Sequence, residues 1–406
     1  MKYVLALIVI LLFLGCRKDH MEEETTTVVS TIVYYGDINN DAVLAIDIAK
    51  MQLQELIASN GVNPYEVTQA FNEDLYVINR ADYNVGVLNT STNTIDNQID
   101  LDFIPRSVAI NADDTLFSSV DKPSAAVATS EVVSPVYNDS DYIQPASFGG
   151  SNATGHPVWI DDSYFLLLDR TENTIELYFK GTYTPVSKLA ISSSVHHVMS
   201  RDGFYYGIAE GEQGASSPGV VKFTVSNGTI SLVNEQLLSQ LNGLPSDFNS
   251  SVWGAHHGAL HPNDDYIYIG SAEGNVFVLD LTDLNLVDTF KSGKGVGHFL
   301  FHNEMLITTN HYDNFKSFYD ASDPTGNVFI KELKFSEQIY EGITMQSHTT
   351  HIIDNKLYFA FNTDINSTLY KVDLNSISVE ESLTLNGCYC LMGSFVTTST
   401  TISNGM

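Results

Sequence analysis

The sequence contains few cysteines and few positively charged side chains. It has 3 cysteines among 406 residues, and 19 Lys and Arg against 49 Asp and Glu, which gives a formal net charge of -30. So few cysteines exclude a disulfide framework. The negative charge argues against binding to nucleic acid and against docking on anionic lipid through a basic face, and it attracts cations. We therefore expect no nucleic-acid partner.

The signatures of several common enzyme classes are also missing. The chain has no G-x-S-x-G, no Walker loop, no dinucleotide-binding glycine pattern and no H-E-x-x-H. Their absence lowers the expectation of catalysis without excluding it. We therefore interpret the chain first as a binding protein, and keep an enzyme as an alternative.

The most hydrophobic run of the sequence is too short to cross a membrane as a lone helix. It extends from Tyr3 to Leu14 in "MKYVLALIVILLFLGC" and ends in Leu14-Gly15-Cys16. This ending resembles the lipobox of bacterial lipoproteins, which implies a signal peptide over residues 1–15 and lipidation of Cys16. An uncleaved membrane anchor is the alternative.

The polar stretch after the lipobox predicts a flexible acidic stalk over residues 16–27. Two or more acyl chains hold a protein stably on a membrane. We therefore expect a cell-envelope protein whose membrane contact is the lipid anchor alone, held in the outer membrane and facing the periplasm or the cell surface.

A four-strand cassette recurs along the rest of the chain. Its clearest copy is "HHGAL", "DYIYIGS", "NVFVLDL" and "LNLVDTFK", between residues 256 and 291, with turn residues between the runs. Further copies begin at His156, His196, Gly297 and Ser347, and two fainter copies lie upstream. The spacing of about 40 to 60 residues is that of propeller blades, and the repeats resemble those of YVTN and WD40 propellers.

The two ends of the repetitive region supply the strands of one more blade. "TIVYYGD", "AVLAIDI" and "QLQELIA" lie at the N-terminal end, and "CYCLMGSFVTTS" lies near the C-terminus. The sequence therefore predicts an all-β fold, a single domain over residues 28–406. We expect an eight-bladed β-propeller closed by a split blade, with seven blades as the alternative.

Histidines recur where the first strands of the blades begin, at one mouth of the predicted channel. By register, the residues that open these strands are Val67, Ser107, His156, His197, His257, His298, His348 and either Cys388 or Cys390. Five consecutive blades thus offer an imidazole at one equivalent position. In the alternative, each histidine hydrogen-bonds within its own blade, although Val67 and Ser107 interrupt that pattern.

Imidazole is the commonest transition-metal ligand, and ligation by His and Cys favours zinc or copper over magnesium or calcium. The predicted metal ligands are His156, His197, His257, His298, His348, Cys388 and Cys390. For the two cysteines, a strained disulfide and plain burial remain alternatives. We interpret five aspartates that follow the histidines either as turn residues or as carboxylates that accept hydrogen bonds from the metal-binding histidines: Asp161, Asp162, Asp202, Asp264 and Asp354.

The remaining histidines are weaker candidates. His261 and His302 would form a second tier of ligands or serve as turn residues, and His351 should face away from the channel. We expect His311 near the other side of the channel or in a loop, and His20 in the stalk.

A propeller outside the cytoplasm with histidines in its channel resembles the periplasmic zinc metallochaperones that serve ABC transporters. The nearest stretch is "GAHHGALHPNDDYIYIGSAEGNVFVLDL". The resemblance implies zinc binding by His197, His257, His298 or His348. It also implies delivery of the metal to a transporter or other envelope protein, without catalysis.

Two other function classes stay open. "QSHTTH", with Gln346, His348 and His351, is similar to the metal site of propeller polysaccharide lyases, but the net charge of -30 argues against an anionic polymer as substrate. A propeller that binds proteins without a metal is the third hypothesis.

Overall fold

The structure is a computed structural model. It describes residues 25–69, 75–100, 105–110, 115–120, 136–138, 155–170, 172–179, 185–211, 216–246, 248–249 and 254–403. The predicted signal peptide, the lipidation site Cys16 and residues 16–24 of the predicted stalk lie outside these residues. Strand β1 begins at Thr25, earlier than the predicted domain start at residue 28. Within the described residues, no helix is long and apolar enough to span a membrane.

The first four sheets are numbered here in chain order. Sheet 1 has the order β3-β2-β1-β31, with β1 (Thr25–Asp37), β2 (Ala42–Asp47), β3 (Gln52–Ala58) and β31 (Cys390–Ser403). Sheet 2 contains β4 (Pro64–Gln69), β5 (Leu75–Asn79), β6 (Asn84–Asn89) and β7 (Thr94–Asp100). Sheet 3 contains β8 (Pro105–Ile110), β9 (Thr115–Val120) and β10 (Val136–Asn138). Sheet 4 contains β11 (Val158–Trp159), β12 (Tyr164–Asp169), β13 (Thr174–Phe179) and β14 (Ser187–Ala190).

The remaining sheets each contain four consecutive strands. Sheet 5 contains β15 (Val195–Arg201), β16 (Phe204–Ala209), β17 (Gly219–Ser226) and β18 (Thr229–Leu237), followed by a short 3-10 helix (Leu238–Gln240). Sheet 6 contains β19 (Gly254–Leu260), β20 (Tyr266–Ser271), β21 (Asn275–Asp280) and β22 (Leu286–Lys291). Sheet 7 contains β23 (Val296–His302), β24 (Met305–Asn310), β25 (Phe315–Asp320) and β26 (Val328–Lys334). Sheet 8 contains β27 (Gln346–Ile353), β28 (Lys356–Asn362), β29 (Asn366–Asp373) and β30 (Ser378–Asn386).

This architecture confirms the predicted β-propeller. Consecutive strands pair antiparallel, and in sheet 1 the last strand, β31, lies next to the first, β1, as the split blade requires. Among the described strands, seven sheets have four strands and sheet 3 has three. The count of eight blades therefore stays a prediction.

The hydrophobic core lies between neighbouring sheets. The second and third strands are buried on both faces, as in "YIYIGS" (β20) and "NVFVLD" (β21). The outer strands are more exposed, as in "VFIKELK" (β26). One cluster joins Leu166 of sheet 4 to Val221 of sheet 5, and another joins Tyr268 of sheet 6 to Leu306 of sheet 7. Each sheet thus buries its faces against its neighbours, which is why a single four-strand repeat is sufficient to build the fold.

A β-bulge interrupts the first strand of sheets 2, 3, 5, 6, 7 and 8. The register shifts between Pro64 and Glu66 in sheet 2, and between Val195 and His197 in sheet 5. The other shifts lie at Pro105/Ser107, Gly254/Gly258, Val296/His298 and Gln346/Thr350. A bulge inserts an extra residue into the strand. The side chains after the bulge therefore point to the opposite faces from those that simple alternation along the strand predicts. For this reason the predicted position of Val67 was wrong: Glu66 follows the bulge, and Val67 is a core residue of the cluster around Val77.

The chain divides into two compact units. The larger one is residues 32–396 and contains every residue of the candidate site described below. The smaller one combines residues 1–31 and 397–406, of which 25–31 and 397–403 are described. Within it, the hydroxyl oxygens of Thr31 and Thr397 lie 2.9 Å apart.

Candidate metal centre

Seven histidine rings of sheets 4 to 8 form one continuous group, called here the histidine row. Each ring centroid lies between 4.3 and 6.2 Å from that of a neighbour in the group. The members are His156, His196, His197, His257, His298, His311 and His348. First strands of neighbouring sheets contact one another, β15 with β19, β19 with β23 and β23 with β27, so the repeat itself brings the imidazoles together.

At one end of the row, three imidazoles from three sheets converge. The candidate ligand atoms of His156, His196 and His257 all lie within 4.8 Å of one another, and this is the one such group of His, Cys, Asp and Glu found among the described residues. We call it the proximal trio. His156 precedes β11, and its backbone N–H donates to the carbonyl of His196 at 2.9 Å, which ties sheet 4 to sheet 5. Tetrahedral zinc with bonds of 2.0–2.1 Å needs nitrogens about 3.3 Å apart, so small side-chain movements would complete a site for a metal ion.

Two imidazoles of the row, His197 and His257, are held neutral by their surroundings. Burial lowers the pKa of His197 to about 4. The pKa of His257 is held well below its usual value, first by burial and then by the neighbouring histidines, foremost His298 and His197. Only a neutral imidazole can bind a metal ion. These rings are therefore ready to bind a metal at neutral pH.

His197 contacts the proximal trio without belonging to it. Its ring lies 4.3 Å from that of His257. Its Nδ1 is buried and has no hydrogen-bond partner among the described residues. A buried polar atom without a partner costs free energy, on the order of 1–3 kcal/mol, and such an atom beside three converging imidazoles fits a site built for a ligand.

The other end of the row contains His298, His311 and His348. His298 Nδ1 and His311 Nε2 lie 2.7 Å apart, and His311 Nδ1 lies 3.1 Å from the carbonyl oxygen of Gln346. The ring of His348 is 4.4 Å from that of His311 and 5.1 Å from that of His298. The His257 and His298 rings stack at 4.3 Å and thereby join the two ends.

The structure places two histidines in the row that the sequence analysis had not assigned there. His311 follows β24, and its backbone N–H donates to the carbonyl of Gly295 beside the start of β23. His311 therefore lies in the turn after β24, as the loop alternative predicted, and this turn is beside the start of β23 rather than across the channel. Because strands 1 and 2 are antiparallel, the end of the second lies beside the start of the first, and this rule could have located His311. His196 was paired with His197 in the sequence, but only the bulge brings both rings into the row.

The two cysteines lie in a hydrophobic cluster between sheets 1 and 8. Cys388 and Cys390 are free thiols, both buried among residues such as Val33, Leu44 and Leu369. Burial, followed by a hydrogen bond to the side chain of Asp37 and then by its charge, raises the pKa of Cys388 to about 12, and burial raises that of Cys390 as well. Protonated thiols are poor metal ligands. Of the alternatives left open for this pair, the structure thus shows burial and no disulfide.

Other predicted polar residues serve local structure. His261 Nε2 lies 3.0 Å from the carbonyl oxygen of Ala321, and its Nδ1 lies 3.1 Å from a carboxylate oxygen of Asp264. His302 pairs with the side chain of Asn355. Asp161 accepts hydrogen bonds from the backbone of its own turn, at Ser163 and Tyr164. These are turn and inter-sheet contacts rather than a second tier of ligands.

The residues that resemble a lyase site do not come together. The Gln346 amide donates to the backbone carbonyls of Asn310, Asp313 and Phe315. His351 is exposed and stacks on Phe395 with ring centroids 4.7 Å apart. Of the three, His348 alone belongs to the histidine row.

A fully buried lysine lies beside the row and gave no signal in the sequence. The Nζ of Lys316 donates to the hydroxyls of Thr309, at 2.7 Å, and Thr350, at 3.3 Å. It also lies 4.5 Å from the centroid of the Phe359 ring. Thr309 is the backbone partner of His298. Burial lowers the pKa of Lys316 to about 7, so a large part of its population is uncharged at neutral pH.

Comparisons with known proteins identify the fold and no family. No protein-family model matches the chain, and no curated protein matches it either. Among solved structures, the dihydro-heme d1 dehydrogenase NirN in complex with DHE is similar, with 11% identity over 90% of this chain and 74% of that chain, and a TM-score of 0.66. Apo AztD from Citrobacter koseri gives 10% identity, coverage of 92% and 98%, and a TM-score of 0.59. The C-terminal WD40 domain of Sif2 gives 13% identity, coverage of 82% and 90%, and a TM-score of 0.58. At such identities the likeness shows a β-propeller and decides nothing about catalysis.

Proposed function

We propose that this protein is a lipid-anchored β-propeller of the cell envelope that captures a transition-metal ion and passes it to a partner. The metal is zinc or copper, and its ligands are His156, His196 and His257. The observation that carries the proposal is the convergence of these three imidazoles, whose ligand atoms lie within 4.8 Å of one another. In this proposal the metal is cargo, and the protein is not an enzyme.

The composition of the proximal trio suits transfer. Three histidine ligands leave the fourth position of a tetrahedral ion open, as in other zinc sites with three protein ligands. His156 and His257 are only partly buried. A ligand of the receiving protein can therefore enter the open position before the histidines let go. The partner expected from the resemblance to periplasmic zinc metallochaperones is a transporter or another envelope protein.

Charge and anchoring support the same function. With a net charge of -30, the protein raises the local concentration of cations around itself. An anchor at Cys16 would hold it where metal enters the envelope. This part of the proposal rests on the sequence Leu14-Gly15-Cys16. Metabolic labelling with a palmitate analogue should modify the protein, and Cys16→Ser should abolish the label. Labelling that survives the substitution contradicts a lipid anchor at Cys16.

The metal site is tested by competition titration of the chelator-stripped protein against a chromophoric chelator, with Zn²⁺ and with Cu²⁺. We expect the first ion to bind with sub-micromolar affinity, since the closed fold fixes the ligand backbones before metal enters. The double variant His156→Ala/His257→Ala should lose affinity at least 100-fold. His302→Ala and His351→Ala are matched controls outside the row and should bind as wild type does.

Two results contradict the site. One is equal loss of affinity in the double variant and in the controls. The other is the absence of tight binding in the wild type, which would favour a propeller that binds proteins without metal. Metal analysis of the protein isolated from its native envelope distinguishes zinc from copper.

A further inference from the structure

We propose that the histidine row contains a second metal site, formed by His298, His311 and His348 and called here the distal trio. It deepens the proposed function, because it would give the cargo a second station along the same row. The proposal starts from geometry: three imidazoles from sheets 7 and 8 lie with ring centroids 4.4 to 5.1 Å apart. His311 supplies the ligand that the sequence repeat did not predict.

The orientation of His311 is typical of a metal ligand. Its Nδ1 is 3.1 Å from the carbonyl oxygen of Gln346, a contact in which the ring nitrogen must be the donor. This contact places the lone pair of His311 on Nε2. Metal-bound histidines characteristically donate their other ring N–H to a carbonyl or carboxylate, which fixes the tautomer and the ring orientation.

The lone pair of His311 Nε2 is directed at His298. His298 Nδ1 lies 2.7 Å away, so it donates its proton into that lone pair. A metal ion that took the place of this proton would bind both nitrogens. The nitrogens would need to separate to about 3.3 Å for a tetrahedral ion. The proton of His298 would move from Nδ1 to Nε2, which keeps the ring neutral, so metal uptake at this site replaces the proton between the two rings without net proton release.

His348 completes the distal trio after a rotation of its side chain. Its ring stacks on that of His311 at 30° instead of pointing at the gap between His298 and His311. The second torsion of a histidine side chain has a broad energy profile, so the turn costs little. It does remove the stacking contact, and the His298–His311 hydrogen bond must also break.

These costs make the distal trio the weaker of the two sites. Breaking the hydrogen bond between His298 and His311 lowers the affinity of this site for metal. The proximal and distal trios are neighbours, since the rings of His257 and His298 stack on each other. A first positive ion in the proximal trio therefore repels a second ion in the distal trio. We expect the distal trio to fill only after the proximal trio, with an affinity at least 100-fold lower.

The test combines stoichiometry with a readout of the replaced proton, using Zn²⁺ alone as the probe. Calorimetric titration of the stripped wild type should give two ions per chain in two steps. The 1H resonance of the proton between His298 and His311 should persist through the first equivalent and disappear with the second. His311→Gln should keep the first step and lose the second, whereas His156→Ala should weaken the first.

Each other outcome can be assigned. Binding of a single ion that leaves the shared proton in place, or two unchanged steps in both His311→Gln and His348→Asn, overturns the distal trio and leaves the proposed function intact. A single ion that removes the shared proton, lost in His311→Gln and retained in His156→Ala, supports the distal trio and contradicts the proximal one. No binding at all overturns both proposals. Because His311 is buried, His348→Asn is the second variant should His311→Gln not fold.

Discussion

A β-bulge is present in the first strand of sheets 2 and 3 and also in that of sheets 5 and 7. The two pairs of sheets differ in the side chain that follows the bulge. In each of them the first strand has a bulge, followed by Glu66, Ser107, His197 and His298 respectively. Glu66 accepts a hydrogen bond from the Thr68 hydroxyl at 2.6 Å, and Ser107 is buried. The bulge is therefore part of the scaffold, since it occurs with and without histidine.

The histidines are an addition to that scaffold, confined to consecutive sheets. Buried neutral histidines lower the stability of the folded protein in acid, because they must remain unprotonated. If the fold needed only the bulge, serine at these positions would give the same stability without that cost. The comparison indicates that folding depends on the sheets and their closure, and that the proposed metal binding would depend on the histidines of sheets 4 to 8. The predictions below test this separation.

The largest effect is expected from removing the closing strand, which belongs to the region without histidines. Truncation before Tyr389 exposes the edge of β1 and opens the hydrophobic cluster around Val33 and Tyr35. We expect the cooperative thermal transition, followed by circular dichroism, to be lost altogether. Removal of residues 404–406 alone is the control. A truncated protein that melts like the wild type would show that closure by β31 is dispensable.

Acid should destabilise the metal-free protein through the histidine row. His197 has a pKa of about 4 in the folded protein, against the ordinary value of 6.5 expected in the unfolded chain. Between these two pH values the unfolded chain binds a proton that the folded protein does not. Stability is therefore complete above pH 6.5 and falls as the pH drops towards 4, by about 1.4 kcal/mol per pH unit and roughly 3 kcal/mol in total. Urea unfolding between pH 7 and 5 measures the slope.

The matched variants separate this titration from that of other groups. His197→Leu should flatten the pH dependence, and Ser107→Ala, which changes the position after the bulge in sheet 3 and removes no titratable group, should leave it unchanged between pH 7 and 5. Equal slopes in wild type and His197→Leu would contradict the assignment. Bound metal should raise the melting temperature at neutral pH and lose this effect as acid protonates the ligands.

Lys316→Met should stabilise the protein at pH 7, by about 1–3 kcal/mol, since it removes a buried amine that has no carboxylate partner among its described contacts. The pKa of Lys316 is about 7 in the folded protein and lies below the ordinary lysine value of 10.5 expected in the unfolded chain. The wild type therefore gains stability as the pH rises from 7 towards 10, and the advantage of the variant should shrink over the same range. A variant less stable than the wild type at pH 7 would point to a structural need for the amine.

The smallest effect on metal binding is expected from the cysteines. Cys388→Ala and Cys390→Ala should leave zinc affinity within about twofold of wild type, because both thiols are buried and protonated in a hydrophobic cluster. Their stability should fall by about 1 kcal/mol through lost packing. A tenfold loss of affinity in either variant would return the cysteines to the list of ligands.

The repeat made the fold predictable from the sequence. "DYIYIGS" and "NVFVLDL" correspond closely to β20 and β21, and "CYCLMGSFVTTS" contains much of β31. Strand patterns and turn residues act over a few neighbours, so a single sequence reveals them. The pairing of β31 with β1 followed from counting strands, because one blade was otherwise incomplete.

The site was predictable in its residue type and only partly in its members. His156, His257, His298 and His348 belong to the row as predicted, because the repeat places them. A bulge leaves no local mark in the sequence, so Val67 was assigned in place of Glu66, and His196 was passed over for His197. Lys316 was invisible for another reason: its strand is buried on both faces, and alternation then carries no information about burial.

The pairing of β31 with β1 also determines the order in which the sheets can be completed as the chain is synthesised. As the chain emerges during synthesis or export, sheets 2 to 8 can pair from neighbouring segments, whereas β1 waits for a partner that is made after every other described strand. Until that strand arrives, β1 presents an open edge of the kind that chaperones and proteases recognise. A chain truncated before β31 would keep this open edge along β1.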